Sequence, residues 1–69
     1  MKPSTARVRA LLILRGAQGL TPLEALRYAG TMRLAARVAE LRAMGDRITT
    51  TTVRTPEGAH VARYVREEA

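Results

Sequence analysis

Apolar and polar positions follow a helical period over the first two thirds of the chain. The apolar positions that share the first helix face are Val8, Leu11 and Leu12. Ser4 or Thr5 is expected to cap this helix and Gly16 to end it. Ile13 and Leu14 widen the apolar surface. The helix therefore either lies at the centre of the core, which we favour, or keeps one side for a second subunit.

A second helix is predicted at about residues 22–29. Thr21 can accept a hydrogen bond from an exposed amide, Pro22 suits the first helical position, and Glu24 completes a capping box. Gly30 can take the left-handed conformation that ends a helix. The side chains expected to reach the core are Leu23, Leu26 and Ala29.

A third helix is predicted over residues 32–44, with Thr31 as its cap and Gly45 as its stop. Its inward stripe is expected to be Leu34, Val38 and Leu41. A different face carries Arg33, Arg37 and Glu40, with Ala36 beside them. Two helices so close in sequence must cross steeply, which is the helix-turn-helix arrangement, and that motif presents its second helix to the major groove of DNA.

The sequence changes character after Asp46. Residues 48–54 are rich in β-branched side chains, residues 55–58 have the composition of a turn, and residues 60–65 alternate again. An antiparallel hairpin is therefore predicted. Ala62 and Tyr64 are expected on its buried face, opposite His60 and Arg63. We expect a single domain over residues 1–69, with a basic arm at 1–4 and a solvated tail at 66–69.

The charge balance indicates a polyanionic partner. Twelve Lys and Arg against six Asp and Glu give a formal charge of +6 on 69 residues, and eleven of the twelve are arginine. Such a field attracts nucleic acid, and arginine can bond two acceptors on one guanine edge. A GC-rich genome is an alternative origin of the arginine bias.

Other features narrow the class of protein. There is no cysteine, so disulfides and thiolate metal sites are excluded and a reducing cytoplasm, near the nucleoid, is the expected location. The longest apolar run, residues 10–14, is too short to cross a membrane. Catalysis is not expected, because Ser4, His60 and Asp46 are scattered over separate elements. No cofactor, metal or small-molecule substrate is predicted.

The run GTMRLAARV at residues 30–38, followed by Leu41, Arg42 and Gly45, resembles a family of small winged helix-turn-helix proteins from phages and prophages. In that family a similar Met-Arg-Leu-Ala-Ala-Arg-Ile run precedes a hairpin that ends in a tyrosine, and LEAL at residues 23–26 matches as well. The resemblance covers about residues 8–65. It implies an α+β fold, with a three-helix core followed by a C-terminal antiparallel β-hairpin (the wing), and DNA binding. The polar run at residues 49–52 departs from the aromatic and basic residues often found in that hairpin.

Arg33 and Arg37 are the strongest candidates for base contacts in the major groove, although either could instead pair with Glu40 or Glu24. The full set of expected DNA-binding residues is Thr31, Met32, Arg33, Ala36, Arg37, Glu40, Arg54, Arg63, Lys2 and Arg7. The sequence has no asparagine and a single glutamine, the residue types that usually pair with adenine, so a preference for G·C pairs is predicted. Thymine methyls would be recognised by Thr31, Met32 or Ala36.

The leading hypothesis is a double-stranded DNA-binding protein that acts as a small phage or prophage transcriptional regulator or as an excision-type architectural factor. Because one reader helix covers few base pairs, a homodimer or tandem binding is expected. The alternative is a winged-helix protein-interaction module, an adaptor or an inhibitor of a host protein. That module would use an apolar surface at Ile13, Leu14 and Met44.

Overall fold

Three α-helices and a β-hairpin follow one another in residues 1–67, the part of the chain that the computed structural model describes. The elements are α1 (Pro3–Arg15), a 3₁₀ turn (Gly16–Gln18), α2 (Pro22–Ala29), α3 (Leu34–Ala43), β1 (Ile48–Arg54) and β2 (His60–Arg66). This order confirms the predicted fold. The predicted arm and tail are shorter than expected, because α1 starts at Pro3 and Arg66 belongs to β2. Residues 68 and 69 of the predicted tail lie outside the described residues.

The start of α1 differs from the predicted cap. Lys2 is the N-cap residue and has no side-chain capping hydrogen bond, while Pro3 occupies the first helical turn. A proline there has its φ angle already set for the helix and lacks an amide that would need a partner. The hydroxyls of Ser4 and Thr5 are therefore free to bond with side chains of α3. Gly16, with φ at 53°, ends the helix as predicted.

The predicted bounds and capping box of α2 are confirmed. The Glu24 amide donates to Thr21 Oγ1 over 3.4 Å, and the Thr21 amide donates to Glu24 Oε1 over 3.0 Å. Gly30 closes the helix in the left-handed region, at φ 69° and ψ 18°. The capping box and the terminating glycine each depend only on residues close in sequence, so sequence alone was sufficient to locate both ends of the helix.

The buried face of α2 was predicted correctly at Ala29 and wrongly at Leu23 and Leu26. The helix buries Ala25 and Ala29, whereas Leu23 is 68% exposed and Leu26 is 43% exposed. Alanines on the inner face let the backbone of α2 approach the other helices closely, because no long side chain stands between them. The two leucines consequently form an apolar outer face.

The core lies between α1, α3 and the base of the hairpin. The predicted α3 stripe is confirmed, since Leu34, Val38 and Leu41 are all buried. The remaining large buried side chains of the core are Val8, Leu12, Leu20 and Ile48, against which Leu11 and Tyr64 pack. α1 contributes to this core with one face only, because Ile13 and Leu14 on its other side are 46% and 81% exposed.

The hairpin, called the wing below (residues 48–66), is antiparallel with Thr50 opposite Tyr64. Its face toward the core carries Ile48 and Tyr64. Because side chains alternate along a strand, His60 shares that face with Ala62 and Tyr64, which corrects the predicted arrangement. His60 is nevertheless exposed, since it lies at the end of the strand away from the core.

A third extended segment joins the wing to the helices. The Leu20 amide donates to the Tyr64 carbonyl over 2.8 Å, and the Tyr64 amide donates to the Leu20 carbonyl over 2.9 Å. Leu20 thus pairs with the edge of β2 that faces away from β1. The sequence pattern gave no indication that this link between α1 and α2 pairs with the wing.

Candidate nucleic-acid interface

Three of the acidic side chains are used inside the fold. Arg15 Nη2 lies 2.8 Å from Glu24 Oε2, which ties α1 to α2. Asp46, in the turn before β1, accepts from Arg9 Nε at 2.9 Å and from Arg66 Nη2 at 3.3 Å. These carboxylates neutralise cations between elements, and they do not face outward as isolated negative charges.

Glu40 on α3 is the third of these acids, and it contacts the start of α1. Its carboxylate accepts a hydrogen bond from the buried Thr5 hydroxyl and lies 3.2 Å from Lys2 Nζ. Arg37, one turn away, places Nε 2.9 Å from Glu40 Oε1. The predicted candidates Lys2, Arg37 and Glu40 therefore meet each other at the interface between α1 and α3.

The pKa values of these carboxyl groups are displaced downward. The Thr5 hydrogen bond is the main cause for Glu40, with Lys2 and Arg37 adding to it, so the pKa of Glu40 lies below 4.5. Burial acts to raise the pKa of Glu24, but hydrogen bonds with Thr21 and the charge of Arg15 outweigh it and the pKa is lowered. Burial also acts to raise the pKa of Asp46, but the hydrogen bonds and charges of Arg9 and Arg66 outweigh it, so the pKa is lowered. All three groups are held in the charged form.

A second set of basic residues has no such partners. Six arginine side chains form no hydrogen bond or ion pair with another described residue, and we call them the unpaired arginines. They are Arg7, Arg27, Arg33, Arg47, Arg54 and Arg63. The first five are exposed and Arg63 is half-buried. Internal pairing of the acids thus leaves a surface with positive charge that is not compensated locally.

The segment before α3 presents Met32 and Arg33 outside the helix. The helix begins at Leu34, two residues later than predicted, and Arg33 is its N-cap residue. Thr31 does not cap it: the Thr31 hydroxyl accepts from the Arg33 amide at 3.1 Å, which is a local turn that competes with helix formation. Thr31 is 7% exposed, whereas Met32 is 84% exposed. Of these candidates, Met32 and Arg33 are the ones that reach the surface.

Arg37 does not share that surface with Arg33. Its side chain is only 15% exposed, and Nη1 donates to Ser4 Oγ over 3.1 Å. Arg37 forms an ion pair with Glu40, which was the alternative expected from the sequence. Arg33 and Arg37, which were expected to contact bases side by side, are therefore not neighbours on one exposed face of α3. Arg37 lies on the side of the helix that faces α1.

The outward side of α3 consists of small side chains. Ala35, Ala39 and Ala43 are exposed and Ala36 is half-buried. Arg42 is exposed but is held along the protein, since its guanidinium donates to the Ile48 carbonyl and to Thr50 Oγ1. A helix with such a face can approach another surface closely along its whole length. The sequence contains this signal in the spacing of the alanines, although it was not recognised there.

The two predicted arginines of the wing lie on opposite faces of the hairpin. Arg54 pairs with His60 at the outer end of the strands, and Arg63 pairs with Thr51 on the face that also carries Val53 and Val61. The Arg54 guanidinium lies over the turn, 3.8 Å from where a Cβ atom at Gly58 would stand. The wing therefore offers positive charge on both sides. Arg7, the remaining candidate, is exposed on α1.

No helix in residues 1–67 is long and apolar enough to span a membrane. The same part of the chain contains no group of three His, Cys, Asp or Glu side chains that could hold a metal ion. The apolar surface predicted for the alternative function is exposed at Ile13, Leu14 and Met44, and the structure assigns no partner to it.

Comparison with protein families identifies the type of domain. No curated protein and no solved structure matches the chain. The family model of the winged helix-turn-helix domain matches residues 5–68, which is nearly the whole sequence. Domains of this type are typically DNA-binding modules without enzymatic activity. With three helices, a paired link at Leu20 and a C-terminal hairpin in the expected order, the chain belongs to the winged helix-turn-helix domain family.

Proposed function

We propose that this protein binds double-stranded DNA, with the start and the outward face of α3 in the major groove and the wing beside it. The observation that carries the proposal is the segregation of charge. Glu24, Glu40 and Asp46 pair inside the fold, while the unpaired arginines remain on the outside. Phosphates would supply the partners that these arginines lack.

The proposed contacts differ among the candidate residues. Arg33 precedes α3, where recognition helices touch base edges, and its fork fits the O6 and N7 atoms of guanine. Ala36 and the exposed alanines beside it would contact thymine methyl groups, as would Met32. The proposed phosphate contacts are Arg7, Arg27, Arg54 and Arg63. Lys2, Arg37 and Glu40 would hold α1 against α3, and Thr31 would shape the turn before α3, all without touching DNA.

The biological role that we propose is that of a small phage or prophage transcriptional regulator or an excision-type architectural factor in the bacterial cytoplasm, associated with the nucleoid. Its support is the resemblance of residues 30–38 to such proteins and the small size of the domain. Because one α3 covers few base pairs, binding would use tandem sites or a homodimer.

The test is fluorescence anisotropy of labelled duplexes over a salt series. The parent protein is expected to bind at low salt and to lose affinity steeply as salt rises, with G·C-containing duplexes favoured over pure A·T. Arg33→Gln should weaken binding to the preferred duplex about tenfold or more. Arg37→Gln is the matched control, since it removes the same charge from a side chain that faces α1. Absence of binding to every duplex at low salt would show that the proposal is wrong.

A further inference from the structure

An apolar groove runs between α2 and the wing, and neither the fold nor the proposed DNA contacts account for it. Its volume is about 500 Å³. The residues that line it are Thr21, Pro22, Leu23, Leu26, Met32, Val53, Thr55 and Val61. A groove of this volume with mainly apolar walls has the size and lining of sites where proteins bind other molecules.

The groove offers few polar groups to orient a small polar ligand. Its polar side chains are two threonines, and each hydroxyl already accepts a hydrogen bond within the protein. Thr21 Oγ1 accepts from the Glu24 amide, and Thr55 Oγ1 accepts from the Ala59 amide at 3.1 Å. Pockets that bind small molecules combine apolar walls with a few free polar groups. What this groove can accommodate is a row of aliphatic or aromatic side chains.

Arginines outnumber acids next to the residues that line the groove, where Glu24 and the exposed Glu57 are the nearby acids. Arg27 lies one turn after Leu23 on the exposed side of α2, Arg33 follows Met32, and Arg63 is on the same wing face as Val61. All three belong to the unpaired arginines, and Nε of Arg63 is buried without a hydrogen-bond partner. The α2 carboxylate closest in sequence, Glu24, is directed at Arg15. An occupant that is apolar in the middle and acidic at its edges complements this surface.

We propose that the groove binds the apolar face of an acidic amphipathic helix from a partner protein. Such a helix presents anchors at positions i, i+3, i+4 and i+7 to an apolar groove, with its acidic side chains directed at the rim. A second copy of this chain fits less well, because each copy carries a net charge of +6 and the rim is cationic. Duplex DNA also fits the groove less well, because contact between charged phosphates and aliphatic side chains does not give the favourable free energy of burying apolar surface.

The proposal deepens the proposed function at two residues and stands apart from it elsewhere. Arg33 and Met32 are shared, so a bound acidic helix would compete with DNA for them. Leu23 and Leu26 take no part in the DNA contacts proposed above. Peptide binding without DNA can therefore be measured first, and competition afterwards.

The experiment uses the full chain and a fluorescent synthetic peptide of about four helical turns, with leucine at the anchor positions and glutamate elsewhere. Anisotropy should show binding, and the same peptide with glutamine in place of glutamate should bind at least about tenfold more weakly. Leu23→Ser combined with Leu26→Ser should lower affinity by about tenfold or more. Leu23 is 68% exposed and Leu26 is 43% exposed, so the variant is expected to fold, which circular dichroism checks.

Leu14→Ser is the matched control, since Leu14 is 81% exposed on α1 and outside the groove. It should change peptide affinity by less than about twofold. The inference is overturned if the peptide does not bind, or if it binds equally well to the groove variant. It is also overturned if light scattering shows a dimer that Leu23→Ser dissolves, because a second copy would then be the occupant, or if DNA binding is lost in the Leu23→Ser variant.

The two proposals fail separately. A chain that binds duplex DNA and ignores the peptide contradicts only the groove assignment. A chain that binds the peptide and no duplex contradicts only the proposed function. When both bind, unlabelled peptide should displace duplex DNA from the parent protein, and displacement should be lost in the combined Leu23→Ser and Leu26→Ser variant.

Discussion

Arg37 and Glu40 lie one turn apart on α3, with 2.9 Å between Nε of the arginine and Oε1 of the glutamate. Both side chains are turned toward α1, where Ser4 and Thr5 complete the contact. The pair therefore holds the first turn of α1 against the middle of α3. Arg37 of α3 therefore contributes to the packing of α1 against α3.

Replacing Arg37 should affect stability more than DNA binding. Arg37→Gln removes the contacts with Ser4 and Glu40, and we expect the free energy of unfolding to fall by about 1–2 kcal/mol, because charged hydrogen bonds in a partly buried place are lost. Urea unfolding followed by circular dichroism measures this. Arg7→Gln, at an exposed position on α1, is the control and should change stability by less than about 0.5 kcal/mol. Equal urea midpoints for the two variants would contradict the role given to Arg37.

The Thr5 hydroxyl is predicted to contribute to the same contact. Thr5 is 1% exposed and donates to Glu40, so Thr5→Val keeps the shape of the side chain and removes the hydrogen bond. We expect a loss of about 0.5–1.5 kcal/mol in unfolding free energy. Thr52→Val, at an exposed position of β1, is the matched control, and it should leave the free energy nearly unchanged. A Thr5→Val protein as stable as the parent would show that this bond has no net value.

Local signals in the sequence were enough to place most elements. The capping box at Thr21 and Glu24, the left-handed Gly30 and the β-branched run at residues 48–54 depend on neighbouring residues, and the structure has them as predicted. The start of α3 was misplaced, because the Thr31 hydroxyl has two possible uses. It bonds with the Arg33 amide and so closes a turn where a cap was expected.

Which face of α2 is buried could not be obtained from the pattern alone. The periodicity of α2 allows either Leu23 and Leu26 or Ala25 and Ala29 to point inward, and close packing of the helices selects the alanines. The direction of Arg37 has the same origin, since it depends on α1 lying beside α3. The charge of the candidate site was predictable from composition, whereas the division into paired and unpaired arginines required the fold.

Gly19 is expected to be intolerant of a side chain. Its φ is 72°, and a Cβ atom there would lie 2.7 Å from the Tyr64 carbonyl oxygen and 2.9 Å from Val65 Cγ2. Gly19→Ala should therefore destabilise the protein through both backbone strain and a clash with the wing. Gly30→Ala separates these two effects, because Gly30 has φ 69° with no atom within 4 Å of the Cβ position.

We expect Gly30→Ala to cost about 1–2 kcal/mol from the left-handed backbone alone, and Gly19→Ala to cost clearly more. Thermal unfolding of the two variants measures the difference. If both lose the same stability, the contact between the Gly19 segment and β2 is looser than the structure indicates.

Acid should destabilise the folded protein. The pKa values of Glu24, Glu40 and Asp46 are lower in the folded chain than their ordinary values of 4.5, 4.5 and 3.8. The unfolded chain therefore takes up protons first as the pH falls, and unfolding becomes more favourable. Stability from these groups is present above about pH 5 and is lost progressively below it. Urea midpoints at neutral pH and at several acidic values test this.

Glu40→Gln supplies the control for the acid prediction. It lacks one of the three shifted carboxylates, so its urea midpoint should be lower at neutral pH and should fall less between neutral and acidic pH than that of the parent. A parent midpoint that is constant across the acidic range would contradict the internal pairing of these groups.

The two hydrogen bonds between Leu20 and Tyr64 fix the base of the wing to the strand-like link that leads directly into the capping box of α2. In the docking that we propose on a duplex, the distance between the start of α3 and the turn at residues 55–58 is set by the protein and not by the nucleic acid. A DNA whose neighbouring grooves are spaced differently must bend or twist to touch both points, and the energy of that distortion becomes a means of discriminating among sequences.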